Sequence, residues 1–286
     1  MGDTMNSILW KRSVLLLFVV FNLASPGVGG ASFIVFSTGG DNTTASIQTT
    51  VDAFRTDLGN PNNGNAAGPL SSGRREINWD GGGAATTVSG TPFTGFGNIR
   101  GAVFATPGTG FVQAPLSGLA ATFGNPTYAT IFSPFSLLRL FTPIGSNITD
   151  VSFFVPGTNT ALPATVSGFG AVFTDVDVGS STRIQFFDIA NNELFNDNVL
   201  PGTVPDGSLS FLGATANAGE RIFRVRITSG DTALGPDDNP GGGVDIVAMD
   251  DFLYAELQAI PEPSSLVLLG SGLVGLGGMA WRRHRR

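Results

Sequence analysis

The sequence predicts a mainly β protein: an antiparallel β-sandwich of jelly-roll type with one N-terminal amphipathic helix, flanked by a signal peptide and a C-terminal transmembrane helix. Three observations carry that expectation. From about residue 100 onward the chain is a succession of short apolar runs separated by Gly- and Pro-containing turns, the spacing of an all-β sandwich or barrel. In RIFRVRIT (221–228), Phe223, Val225 and Ile227 alternate with Arg224 and Arg226, so one strand face is buried and the other wet. Finally, each end carries an apolar stretch of the length that an export signal or a membrane span requires.

Taken in order, Lys11 and Arg12 precede the apolar run Val14–Leu23, and Ser25-Pro26-Gly27 then breaks it. Small residues at Gly29 and Ala31 place cleavage between Ala31 and Ser32, making residues 1–31 a signal peptide read by signal peptidase. SFIVFS (32–37) is expected as the first strand of an exported domain spanning 32–260. Ile47, Val51, Phe54 and Leu58 recur at helical spacing, which predicts a helix over 44–58. Thr43 or Thr44 can cap it and Gly59 can end it; no other helix is expected outside the signals. GNPNNGNAAGPLSSG (59–73) is a loop by composition, too long for a routine turn, and is expected to be mobile or to bind something. Strands are expected at 100–105, 127–132, 150–155, 168–175, 182–188, 207–212, 221–228 and 244–254. Pro-Gly-Thr at 107–109, 156–158 and 201–203 suits type II turns.

Composition narrows the chemistry. Between Ser32 and Ile260 there is no Lys, His or Cys, and nine arginines against twenty acids leave a net charge of −11. Such a surface argues against nucleic acid, whose binding requires neutralised phosphates. Without His or Cys there is no Ser-His-Asp triad, no Cys-His pair and no usual zinc site. Without Lys there is no Schiff base. Carboxylate chemistry remains, chiefly glycoside hydrolysis or oxygen ligation of Ca²⁺. Since no disulfide is possible, packing, with or without help from Ca²⁺, must hold the exported domain together.

Two groups of residues stand out as candidate sites. Asp175 and Asp177 end an expected strand, and Asp250 and Asp251 lie in VAMDDFLYAE. Convergence of these four would supply the hard oxygens that Ca²⁺ takes. In SGRREINWDGGG (72–83), Trp79 is the exported domain's single tryptophan and has Arg75, Asn78 and Asp80 beside it. An aromatic face with planar polar groups suits a sugar. Equally, Ile77 and Trp79 are two apart, so both can face the core. Glu76 and Asp80 are the pair a glycosidase would use.

The C-terminal tail reads differently. Ser264 to Trp281 contains no charge, and its eighteen residues span about 27 Å as a helix, close to a hydrocarbon core. Trp281 takes the interfacial position, and Arg282, Arg283, Arg285 and Arg286 follow, which should stay cytoplasmic. Pro261-Glu262-Pro263 prevents helix before Ser264 and holds the chain extended. Tripeptide, Gly-rich apolar helix and terminal arginines, in that order across 261–286, resemble the PEP-CTERM sorting signal. The resemblance implies transient anchoring in the inner membrane, then cleavage near the tripeptide by an exosortase. AMDDFLYAE also resembles the last strand of jelly-roll carbohydrate-binding modules, which implies a structural calcium near Asp250 and Asp251. The chain is therefore expected to be a non-enzymatic cell-surface or extracellular-matrix protein, of the kind associated with biofilm polysaccharide. The alternative is a calcium-stabilised module that binds extracellular polysaccharide, and the least favoured is a secreted glycoside hydrolase.

Overall fold

A computed structural model describes residues 31–238 and 243–260. The expected signal peptide before Ala31, the tripeptide Pro261–Pro263 and the expected span 264–281 lie outside the described residues. Among the described residues no helix is long and apolar enough to cross a membrane.

The chain begins with β1 (Phe33–Gly39), α1 (Thr44–Leu58), β2 (Arg74–Ile77), β3 (Thr87–Gly90), β4 (Ala102–Ala105) and β5 (Gly110–Ala114). Two short helices follow, α2 (Leu116–Phe123) and α3 (Tyr128–Ile131), then β6 (Leu140–Ile144), β7 (Ile148–Phe153) and β8 (Ala164–Thr165). The remainder is β9 (Gly168–Thr174), β10 (Arg183–Phe187), β11 (Glu193–Asn198), β12 (Leu209–Ala216), β13 (Arg224–Thr228), β14 (Ala248–Ala255) and β15 (Gln258–Ala259). The strands pair antiparallel throughout. One sheet runs β1-β12-β9-β14-β6-β5-β3, with β2 also paired to β14. A second runs β11-β10-β13-β7-β4, and β15 pairs with β8.

The two larger sheets share one aromatic core. Phe169 of β9 lies 6.3 Å from Phe153 of β7 and 6.5 Å from Phe186 of β10, ring centre to ring centre. Phe104 of β4 meets Phe252 of β14 at 6.0 Å. Such offset and edge-on contacts add to the area buried. In β13, Val225 and Ile227 point inward while Arg224 and Arg226 point out to Asp150. Ile222, rather than Phe223, is the fully buried residue ahead of them. The strand begins at Arg224, so the alternation predicted for the whole octapeptide does not extend back to its first residues.

The predicted helix over 44–58 is α1, and its buried side chains are Ile47, Val51, Phe54 and Leu58. It packs on β1 and β12 and reaches β14. Docking depends on two glycines paired in register, Gly170 of β9 and Gly213 of β12. A Cβ on either would sit within 3 Å of the Phe54 ring, so their bare backbone is what lets the helix approach.

Several expectations are corrected. Within the expected strand 127–132, Tyr128–Ile131 form helix α3 instead, and α2 is a further helix outside the signals. The loop 59–73 is held down at several points. Arg75 and Glu256 form a buried two-pronged pair, Nε–Oε2 and Nη2–Oε1 both at 2.9 Å. Arg75 also donates to the Gly64 and Ala66 carbonyls, while Glu256 accepts from Asn63 and the Leu70 N–H. Neither charge is left unpaired, as burial requires. Of the three Pro-Gly-Thr turns, only Gly157 at φ 87 has the left-handed backbone of a type II turn.

Candidate functional site

The register between β9 and β14 shifts between Met249 and Phe252. Asp250 and Asp251 occupy this bulge, a feature that re-aims side chains out of the strand's regular alternation. The Asp250 carboxyl is fully buried and accepts from the backbone N–H groups of Phe135 (2.7 Å) and Ser136 (3.1 Å). Burial holds its pKa well above the ordinary carboxylate range. Asp251 approaches Arg55 of α1 at 3.4 Å. Burial pushes Asp251 up to about 6, against the opposing influence of the Ser136 hydroxyl and the Arg55 guanidinium.

A polar cleft of about 390 Å³ opens beside this bulge, between α1 and β2. Gln48, Arg55, Glu76, Asn78, Ser136 and Asp251 line it. Arg55 is its hub, reaching Glu76 at 3.1 Å as well as Asp251. Oδ1 of Asp251 is buried without a hydrogen-bond partner. Amide, guanidinium and carboxylate groups converging on one cleft are the groups that hydrogen-bond hydroxyls. Gln48 and Arg55 lie seven apart and therefore share a face of α1. That spacing is visible in the sequence, but β2 and β14 join them only through long-range pairing.

The predicted calcium ligands do not converge. Asp175 follows β9, where its carboxyl accepts the Gly207 N–H at 2.9 Å. Burial pushes it up to about 8, with the negative charges of Asp177, Asp206 and Asp245 adding to the rise. Asp177 is raised mainly by burial and then by Asp245 and Asp206. Asp250 and Asp251 belong instead to the bulge beside Arg55 and Ser136. Among the described residues no group of three or more His, Cys, Asp or Glu is placed to hold a metal ion. The physical reason is that the fold spends two of the four elsewhere: Asp250 accepts the Phe135 and Ser136 N–H groups and Asp175 accepts the Gly207 N–H.

The predicted sugar-binding residues are also separated. Trp79 is 2% exposed and stacks on Phe141 at 3.8 Å, its indole N–H donating to the Asp250 carbonyl at 2.9 Å. Both faces are spent inside the protein, so the core-facing reading of Ile77 and Trp79 holds. Arg75 is committed to Glu256. Asn78 alone of the four lines the cleft, and Asp80 sits behind it with Asn78 and Ser136. Glu76 is tied to Arg55 and to Arg74 at 2.6 Å, a poor start for a catalytic acid or base.

At a different place on the same domain, both ends of the described chain come together. Ser32 donates its backbone N–H to Glu220 Oε1 at 2.6 Å. Glu220 lines an apolar cavity of about 400 Å³ together with Ile189, Leu194, Arg221 and Ile260. Ile260 follows β15, the last strand before the tail. The model for the PEP-CTERM protein-sorting motif matches residues 259–286, starting inside that strand. The chain thus carries a PEP-CTERM sorting motif appended to an antiparallel β domain. No curated protein matches the chain.

Proposed function

We propose that the chain is a non-enzymatic cell-surface or extracellular-matrix protein delivered by an exosortase, and that its β domain is a jelly roll. The sorting motif over 259–286 supports delivery by an exosortase. Supporting the jelly roll, β2-β14-β9-β12 lie in one sheet and β7-β13-β10-β11 in the other, an arrangement with the connectivity of two Greek keys. Substitution Glu262→Ala tests the sorting reading. The variant should accumulate in the membrane fraction as a precursor that retains its arginines, while the wild type is released. Normal release of the variant would contradict recognition through the tripeptide.

A second reading is favoured by the polar cleft: it binds hydroxyl-rich units of extracellular polysaccharide. Asn78 is exposed at its rim, so Asn78→Ala should leave folding intact and weaken binding by about tenfold, the worth of a good hydrogen bond. The check is calorimetric titration of exported protein with isolated polysaccharide. Equal binding by variant and wild type would remove the cleft from consideration. Release of new reducing ends in the same mixture would favour the glycosidase reading instead.

A further inference from the structure

We propose that Glu220 is a built-in receptor for the amino terminus created by export, so that cleavage at Ala31–Ser32 converts a hydrogen bond already present into an ion pair. Hydrolysis of that amide consumes one water. Its oxygen goes to the Ala31 carbonyl, which leaves as a carboxylate, and the Ser32 nitrogen becomes an ammonium at neutral pH. In the described chain this nitrogen already lies 2.6 Å from Glu220 Oε1.

The receptor is shaped on both sides. Glu220 Oε2 accepts the Ala218 N–H at 2.9 Å, fixing the carboxylate within its own turn. Asn217 donates its N–H to the Ser32 carbonyl at 2.9 Å, fixing the residue to be received. Ala31 is exposed whereas Ser32 is partly covered, so the bond to be cut lies at the edge of folded structure. The other charged groups lining the cavity are Arg221 and Asp188, and Arg221 is engaged with the Thr165 hydroxyl at 2.8 Å. Ser32 leads directly into β1, an edge strand of the larger sheet. Clamping its first residue therefore protects that edge from fraying once the signal peptide is gone. Desolvation raises the Glu220 carboxyl, but the N–H groups of Ser32, Glu220 and Ala218 outweigh it and hold it below its ordinary range, so at neutral pH both partners of the pair are charged.

The chain offers a clean test, because Lys11 is its only lysine. Once residues 1–31 are removed, the α-amine of Ser32 is the one primary amine left. Exported protein is purified from cells, its first residue determined, and half of it acetylated with an amine-selective reagent. The free amine should titrate above the roughly 7.7–8.0 of an unpaired α-amine. Acetylation should lower Tm at pH 6 by about 1–3 °C, the scale of one partly exposed ion pair in a domain this size. The sign follows from the raised pKa: while Glu220 is ionised, the contribution is complete below pH ~7.7 and is lost as pH rises through the higher folded value, so the two forms converge near pH ~10. Glu220→Gln, which keeps an acceptor but no charge, should abolish the difference. A mature chain starting at any residue other than Ser32 overturns the proposal, as does an acetylated protein that melts with the free form at pH 6. Failure of export altogether would instead count against the sorting reading.

Discussion

Asp175 shows how one residue can be prominent in a sequence for the wrong reason. Its place beside Asp177 suggests a cation ligand, yet the fold buries it against the Gly207 N–H, in a left-handed backbone conformation at φ 71. Such a backbone suits Asn and Asp among side-chain-bearing residues. Its carboxyl is raised to about 8 from an ordinary 3.8, so the folded protein keeps a proton that the unfolded chain releases above pH ~4. The associated stability is complete below pH ~4 and is lost as pH rises through about 8. Asp175→Asn keeps the acceptor and tolerates the backbone but cannot ionise. Relative to wild type it should therefore gain on the order of a few kcal/mol between pH 4 and pH 8, read by denaturant unfolding at each pH. Parallel pH profiles for the two proteins would show that Asp175 is not the group responsible. Trp79 teaches the same lesson from the apolar side. A single tryptophan among polar neighbours reads as a sugar platform, but its spacing from Ile77 was the better guide, and it stacks inside the core on Phe141.

At the scale of elements, legibility followed periodicity. Helix α1 was readable from its boundaries to its buried face, because Ile47, Val51, Phe54 and Leu58 keep one 3.6-residue period without competition. Strand β13 was readable for the same reason at period two. Strands β5 and β6 were not. GFVQA is buried at every position and so does not alternate, and LFTPI contains Pro143, a residue that argues against a paired strand. TYATIF reads as a strand by its β-branched content, yet Tyr128 and Ile131, three apart, face the same way in α3. Short apolar runs of this kind do not distinguish helix from strand by composition. The β14 bulge that makes the cleft had no local signature at all. It exists because Met249 and Phe252 pair with β9 in different registers, a property of two strands rather than one. The docking of α1 was hidden likewise, since Gly170 and Gly213 are unremarkable until pairing sets them side by side.

At the scale of the whole molecule, the sorting motif was legible and the polar cleft was not, and the cause is sequence separation. A sorting tail is read locally by the enzyme that cuts it, so its features must stand together in the chain, as Pro261, Glu262, Pro263 and the terminal arginines do. The interactions that organise the domain join distant residues: Arg75 to Glu256 across 181 positions and Ser32 to Glu220 across 188. Among the described residues, Ser32 bonds Glu220 and Ile260 lines the same cavity as Glu220. An exosortase acting near Glu262 must work within a few residues of β15, which is still paired with β8 through Gln258 and Ala259. The central claim is that the chain is trimmed at both ends on its way to the surface. The measurement that tests it most directly is the intact mass of protein released from the cell surface. The account predicts a single species beginning at Ser32 and lacking Arg282, Arg283, Arg285 and Arg286. Released protein that still carries those arginines would contradict it.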